Sequence, residues 1–149
     1  MDFPIPSADY IRQHLEKLSE NQRPEWGSMS AQRMVEHLED TIEISIGTIE
    51  AKLEIKEEHV PGALKFLASD KPMPRGYKVG FASGEIQLRA NSLNDAIDSI
   101  VERWKVYEST YMENTEHTTM HPVYGMCDKS LWDRIHAKHF VHHFEQFNL

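Results

Sequence analysis

Apolar residues recur every three or four positions in four stretches of the chain, a pattern typical of helices that bury one face. The first helix is expected to begin after Ser7 and to end at residues 21–24. The second is expected to begin after Ser28 or Ser30 and to end near Gly47, because glycine favours a helix C-terminus. The residues at helical spacing are Ile11, His14, Leu15 and Leu18 in the first helix and Ala31, Met34, Val35, Leu38, Ile42 and Ile46 in the second.

The other two stretches lie in the second half of the chain. Ser92 followed by Asp95 resembles an acidic capping box and predicts the start of a helix of about twenty residues. Its residues at helical spacing are Leu93, Ala96, Ile97, Ile100, Val101, Trp104, Tyr107 or Glu108, and Tyr111. Ser130 with Asp133 is expected to cap the last helix, which is predicted to run from Leu131 nearly to the C-terminus. Four amphipathic helices with little strand signal predict one all-α domain over residues 1–149, a four-helix bundle.

The least regular part of the chain lies between about residues 50 and 90. A short helix is predicted over 63–68, after a proline and a glycine. The prolines and glycines of 70–84 predict a long loop, and weak alternation over 85–89 indicates a short extended segment. Because long loops inside compact domains are often functional, this loop is a candidate lid or wall over a pocket.

The charge balance excludes some partners. The chain has 16 Lys and Arg against 24 Asp and Glu, a formal net charge of −8, so it repels nucleic acid and anionic membrane surfaces. Cys127 is the only cysteine, so no intramolecular disulfide is possible. The N-terminus lacks the pattern of a signal peptide, and no stretch approaches the ~20 apolar residues that span a bilayer. These features predict a cytoplasmic protein without nucleic-acid or membrane partners.

Nine histidines are present, and most of them lie near the C-terminus. On a helical wheel, His136, His139 and His143 share one face of the last helix, with His142 toward its edge. His139 and His143 are four residues apart, so their rings can converge on one metal ion, while His136 with His139 is the competing pair. The natural third ligand is His37, at the margin of the apolar stripe of the second helix.

A structural role is the alternative for each of these histidines. One histidine on an apolar helix face is usually a satisfied core residue, but three on neighbouring faces are costly to bury without a metal or hydrogen-bond partners. We therefore expect a divalent ion on His37, His139 and His143. Surface or loop positions are expected for His14, His59 and His117.

Other residues near these positions have less sequence evidence for a functional role. His136 could act as a base or orient a water molecule, or it could simply pack against Trp132. The tryptophans Trp104 and Trp132 could line a pocket or belong to the core, and Cys127 could be catalytic or passive. The carboxylates closest to His37 in sequence could accept a hydrogen bond from the nitrogen of a ligand ring that does not bind the metal. They are Glu36, Glu39 and Asp40.

Two segments resemble motifs of a known superfamily. The segment from His139 to Gln146 resembles the last-helix motif of the DinB-like (YfiT-like) superfamily of metal-dependent enzymes, where a His-x-x-x-His pair joins one histidine from an earlier helix. Residues 26–38, with His37 directly before leucine, are similar to the other signature of that superfamily. The segment from His121 to Gly125, followed by the last helix, resembles one uncharacterised bacterial branch.

The resemblance implies an up-down-down-up arrangement of four helices, often dimeric, in which His37, His139 and His143 hold zinc or nickel in an open site. Members of the superfamily include thiol-dependent transferases and isomerases. We therefore expect a metal-dependent hydrolase or a thiol-dependent S-transferase that acts on a small molecule, with a low-molecular-weight thiol as a candidate substrate. The alternative is a non-catalytic bundle, stabilised by the metal, that binds a small ligand or a protein.

Overall fold

The computed structural model describes residues 2–76 and 86–149, and this part of the chain is mostly helical with one small sheet. The helices are α1 (Ala8–Leu15), α2 (Ala31–Ile46), α3 (Val60–Ala68), α4 (Leu93–Glu113) and α5 (Lys129–Gln146). The strands are β1 (Thr119–His121) and β2 (Gly125–Cys127), and a 3₁₀ turn over Glu57–His59 leads into α3. The four predicted amphipathic helices correspond to α1, α2, α4 and α5, and the predicted short helix corresponds to α3.

Three of the predicted N-caps are confirmed. The hydroxyl oxygens of Ser7, Ser30 and Ser92 each accept a hydrogen bond, at 3.0–3.1 Å, from the backbone N–H three residues further on. For α2 the cap is therefore Ser30 and not Ser28. The predicted end of α2 is also confirmed, because Gly47 follows it with a φ of 106°, a conformation that residues with a side chain rarely adopt.

Other helix boundaries differ from the prediction. Helix α1 ends at Leu15. A turn tighter than that of an α-helix follows, in which the N–H of Leu18 donates to the carbonyl of Leu15. Helix α3 begins at Val60, because Pro61 fits the first turn of a helix, where its missing N–H is not needed. The predicted cap of α5 at Ser130 is wrong: the carboxylate of Asp128 accepts a 3.0 Å hydrogen bond from the N–H of Leu131, so the helix begins at Lys129.

The loop predicted between α4 and α5 contains a β-hairpin. Strands β1 and β2 are antiparallel, with His121 opposite Gly125. The ring Nδ1 of His121 accepts hydrogen bonds from the N–H groups of Val123 and Tyr124, at 2.9 and 3.2 Å, and so closes the turn. His121 thus stabilises the turn of this hairpin.

Helix α2 is the most deeply buried element. It packs against α4, α5 and β1, and 12 of its 16 residues are buried, including Glu36, Glu39 and Asp40. On the other side of α4 lies α1, which contributes Ile11 and Leu15 to the core. The central position of α2 is what brings His37 close to α5.

Helix α3 is joined to α5 by two cationic side chains. The guanidinium of Arg134 donates to the carbonyls of Leu67 and Ser69, at 3.0 and 2.8 Å. The amine of Lys138 donates to the carbonyls of Phe66 and Lys71, at 3.0 and 2.8 Å, and Lys138 has no exposed surface. These contacts supply hydrogen-bond donors to carbonyl groups at and beyond the C-terminal end of α3, where the helix itself offers few.

The predicted loop over 70–84 lies partly outside the described residues, as does the expected lid. Residues 70–76 form bends and turns without a helix or strand. The predicted extended segment over 85–89 is described from residue 86, and residues 86–89 are not paired into a sheet. Within the described ranges, no helix combines the length and the apolar character needed to cross a membrane.

The corrected cap of α5 gives a direct test of the fold. Replacement of Asp128 by alanine removes the acceptor for the N–H of Leu131 and should lower the free energy of unfolding by about 1 kcal/mol. Replacement of Ser130 by alanine is the matched control and should change it by a few tenths of a kcal/mol at most, since Ser130 lies inside the first turn. Urea unfolding followed by circular dichroism measures the free energy of unfolding of both variants. A larger decrease for the Ser130 variant would mean that Ser130 is the cap, as the sequence predicted.

Candidate metal centre

The structure brings together the three histidines that were predicted as metal ligands. His37 lies on α2, and His139 and His143 lie one turn apart on α5. The Nε2 atom of His139 is 2.9 Å from Nε2 of His37 and 3.1 Å from Nε2 of His143. One ligand atom from each of the three rings lies within 4.8 Å of the other two. The predicted pair at i, i+4 is therefore the one that converges with His37.

Burial keeps these three rings neutral. The exposed fractions are 6% for His37, 8% for His139 and 5% for His143. Loss of hydration and then the charge of Arg33 lower the pKa of His37 to about 4. Burial, followed by the neighbouring histidines, also lowers the pKa values of His139 and His143 well below the ordinary value. Neutral imidazole is the form that binds a metal ion.

Gln146 fixes the orientation of the His143 ring. Its side-chain Nε2 donates to the backbone carbonyl of Trp26 at 3.0 Å, and this carbonyl can only accept. The Oε1 atom of Gln146 must then face His143, where it lies 2.7 Å from Nδ1 and accepts its proton. In the neutral ring the lone pair is therefore on Nε2, the atom that faces His139.

The donor set fits a divalent metal ion. Imidazole nitrogens 2.0–2.1 Å from a tetrahedral zinc ion lie roughly 3.3 Å apart. The two short Nε2–Nε2 distances of 2.9 and 3.1 Å are within a few tenths of an ångström of this spacing. The third pair of ligand atoms is up to 4.8 Å apart, which is more than two zinc–nitrogen bonds span, so one outer ring must move closer before all three bind one ion. Three neutral imidazoles from two helices supply a ligand type that both zinc and nickel accept.

His136 is not part of this cluster. It is fully buried, stacks on Trp132 with ring centroids 5.5 Å apart, and lies 3.0 Å from the hydroxyl of Ser45. That hydroxyl donates to the carbonyl of Ile42, so Nε2 of His136 must be the donor to Ser45. Its Nδ1 atom is buried without a hydrogen-bond partner among the described residues. The competing pair of His136 with His139 does not form, and a catalytic role for His136 stays a prediction.

The acidic side chains beside His37 have other partners. The carboxylate of Glu36 accepts a 2.7 Å bond from the N–H of Arg89. The guanidinium of Arg89 donates to Asp40 at 2.7 Å and to Glu39 at 2.9 Å, and Glu39 also accepts from Ser99. The described hydrogen bonds of these carboxylates thus pair buried charge with arginine and backbone, and none of them reaches a histidine ring.

The remaining candidates are placed away from the three ligand nitrogens. Trp104 and Trp132 are buried in the core, where both contact the ring of His136. Cys127 is the last residue of β2 and is buried, and burial followed by the charge of Asp128 raises its pKa to about 12. A thiol with such a high pKa is a poor nucleophile near pH 7, which favours the passive interpretation.

The other histidines have separate surroundings. His142 contacts the rings of Trp26 and His143 at the edge of the cluster. His14 is partly buried and stacks on Phe144, and His117 donates to the carbonyl of Ile46 at 2.7 Å. The expected surface or loop position is confirmed for His59, which is exposed, and for His117, which lies in the loop between α4 and β1. It is wrong for His14, which is partly buried on α1.

Two residues of this region had no role in the sequence-based prediction. Gln146 lies three residues after His143, and therefore on the same side of α5. Arg33 lies four residues before His37, and therefore on the same side of α2. Helical spacing from the predicted ligands was the available signal for both residues.

The comparisons with known proteins identify a family. A family model described as "Protein of unknown function (DUF1569)" matches residues 1–148, so the chain belongs to that family. No curated protein and no solved structure matches the chain. The resemblance to the DinB-like superfamily stays a prediction.

The buried, neutral His136 predicts how stability depends on pH. Burial, and then the charge of His121, lowers its pKa to about 3, so below about pH 6.5 the unfolded chain takes up a proton that the folded chain does not. His136 should therefore make the free energy of unfolding fall as pH drops, by up to about 1.4 kcal/mol per pH unit. Replacement of His136 by asparagine should reduce the slope of unfolding free energy against pH between about pH 6 and 4 by that amount.

The absolute stability of this variant does not enter the test, because only the slope is compared. Above pH 7.5 both states hold the ring neutral, and the two proteins should show the same slope. An unchanged slope below pH 6 would mean that His136 takes up a proton in the folded protein.

Proposed function

We propose that this DUF1569 protein is a metal-dependent enzyme that holds one divalent ion, zinc or nickel, on the Nε2 atoms of His37, His139 and His143. The observation that carries the proposal is the convergence of three neutral imidazoles from two helices. A shared ion would bind the Nε2 atoms of all three rings at once, whereas the single Nε2 of His139 can donate a proton to only one of its two neighbours.

Three protein ligands favour catalysis over a purely structural site, because they leave at least one coordination position for another molecule. When bound, a divalent ion supplies the chemistry by lowering the pKa of a coordinated water toward about 7 or that of a coordinated thiol. The reaction classes that follow are hydrolysis and thiol-dependent S-transfer. We propose a small molecule as the substrate, with a low-molecular-weight thiol as a candidate.

The chain itself contributes orientation and the correct protonation state. Burial holds His37, His139 and His143 in the neutral form that can act as ligand. Gln146 accepts the Nδ1 proton of His143 and keeps the lone pair on the opposite nitrogen. The backbone carbonyl of Trp26 holds Gln146 in turn, so the ligand ring is supported by a chain of two hydrogen bonds.

We further propose that α1, α2, α4 and α5 form a DinB-like four-helix bundle with up-down-down-up topology. The packing of α2 against α4 and α5, and of α1 against α4, supports this arrangement. A homodimer and a cytoplasmic location belong to the same proposal. The superfamily resemblance is the reason for the dimer, and the single cysteine, which fits a reducing compartment, is the reason for the location.

A non-catalytic module is the second candidate. The three ligand rings are almost completely buried, and an ion between them would tie α2 to α5. Such a bundle would use the metal for stability and bind a small ligand or a protein elsewhere. Removal of the ion by a chelator should then lower the melting temperature, since a ligand that binds only the folded state adds stability.

Metal content tests both candidates. The protein, purified without a histidine tag and supplied with zinc or nickel, should contain about one ion per chain, and the His139→Ala variant should lose it because two ligands do not make a tight site. Replacement of His142 by alanine is the matched control on the same helix and should leave the metal content unchanged. Mass spectrometry of the metals provides the measurement, and a metal-free wild-type protein at saturating supply would refute the proposal.

A cobalt-substituted sample separates an enzyme from a structural module. If the ion keeps a coordination position for substrate, the absorption spectrum should change when a small thiol or an anion is added. A spectrum that responds to neither, together with a melting temperature that depends strongly on the metal, would favour the structural module.

Gln146 should act as a positioning residue for the ligand ring of His143. Replacement of Gln146 by alanine removes the acceptor for the Nδ1 proton and should weaken zinc affinity by about 10- to 100-fold. The Gln146→Glu variant keeps an acceptor oxygen toward His143 and should retain most of the affinity. Competition with a zinc chelator measures both variants, and equal loss in the two would assign Gln146 a purely structural role at the Trp26 carbonyl.

A further inference from the structure

Arg33 carries a hydrogen-bond donor that has no partner in the described part of the chain. It lies one turn before His37 on α2, and its side chain is only 11% exposed. Nη2 donates to the carboxylate of Asp40 at 3.3 Å. Nη1 is buried and has no hydrogen-bond partner among residues 2–76 and 86–149.

The contact with Asp40 does not satisfy this guanidinium. Arg89 takes the other carboxylate oxygen of Asp40 at a shorter distance, 2.7 Å, so Arg33 shares its acceptor with a second cation. A buried donor without a partner costs about 1–3 kcal/mol, and more when it is charged. Such a group is retained at functional sites when a ligand supplies the missing acceptor.

Arg33 lies close to one of the proposed metal ligands. Its charge contributes, after burial, to the low pKa of His37, so the guanidinium lies near that ring. A molecule bound beside His37, His139 and His143 would therefore be within the electrostatic reach of Arg33.

A second arginine, Arg75, lies near His142 of α5. The guanidinium of Arg75 stacks on Trp26, 3.8 Å from its ring centroid, and the side chain is exposed. Trp26 in turn contacts the ring of His142, whose pKa is lowered by burial and by the charge of Arg75. Cationic side chains thus occur on the α2 side and on the α5 side of the histidines, in a chain whose formal net charge is −8.

We infer that the substrate carries an anionic group, a carboxylate or a phosphate, which Arg33 binds next to the three histidines. A planar guanidinium matches either group and forms charge-assisted hydrogen bonds with it. Arg75 assists the approach of the anion from the exposed side. The inference rests on the proposed function, because it names the class of molecule that the histidine site takes.

Two small thiols that differ in charge test the inference. Mercaptoacetate and 2-mercaptoethanol both carry one thiol, but only mercaptoacetate has a carboxylate. Calorimetric titration of the zinc-loaded protein should show mercaptoacetate binding at least about tenfold more tightly, the difference expected for a charge-assisted hydrogen bond. Inorganic phosphate, used as a competitor, tells whether the same position prefers phosphate to carboxylate.

Variants of Arg33 tie the preference to this residue. Arg33→Gln should retain its zinc and lose the preference for mercaptoacetate. Arg33→Lys should keep part of this preference, because lysine supplies the positive charge but not the planar pair of N–H donors. The matched control is Arg12→Gln. It changes an arginine of α1 that pairs with Asp98 of α4, and this variant should keep the full preference for mercaptoacetate.

The outcomes separate the inference from the proposed function. Zinc content is measured on the same samples, so a wild-type chain without zinc refutes both. A zinc-loaded chain that binds the two thiols equally and ignores phosphate refutes the inference alone. The inference also fails if Arg33→Gln retains the preference for the anionic thiol.

Discussion

The burial of α2 on nearly every side is the constraint on which the candidate site depends. A helix in this position can carry charged residues only if each of them finds a partner, since an unpaired buried charge is very costly. Arg89 meets this requirement for Glu36, Glu39 and Asp40 at once. The same helix carries His37 to α5, where its Nε2 atom meets that of His139. The candidate site thus lies on a helix whose acidic side chains are neutralised by a residue about 50 positions away in sequence.

Local patterns made much of the fold predictable. The starts of α1, α2 and α4 follow from serine caps that act within four residues, and the end of α2 follows from Gly47. The hairpin was not predictable in the same way, because strands of three residues show no alternating pattern and their turn is closed by His121. The cap at Asp128 was missed because an equally plausible serine lies two residues later.

The candidate site also has one part that local patterns predict and one part that they do not. The pairing of His139 with His143 follows from helical spacing, and His37 follows from its place beside an apolar stripe. The support from Gln146 depends on the carbonyl of Trp26, which is 120 residues away in sequence. No pattern within a single helix reports such a contact, because only the folded chain decides which backbone group lies next to which side chain.

The attachment of α3 through Lys138 has a consequence for chemical labelling. Its amine has no contact with solvent while it is bound to the carbonyls of Phe66 and Lys71. Amine-directed reagents can acylate it only during moments when α3 separates from α5. The rate of that acylation therefore measures how often α3 and α5 separate locally.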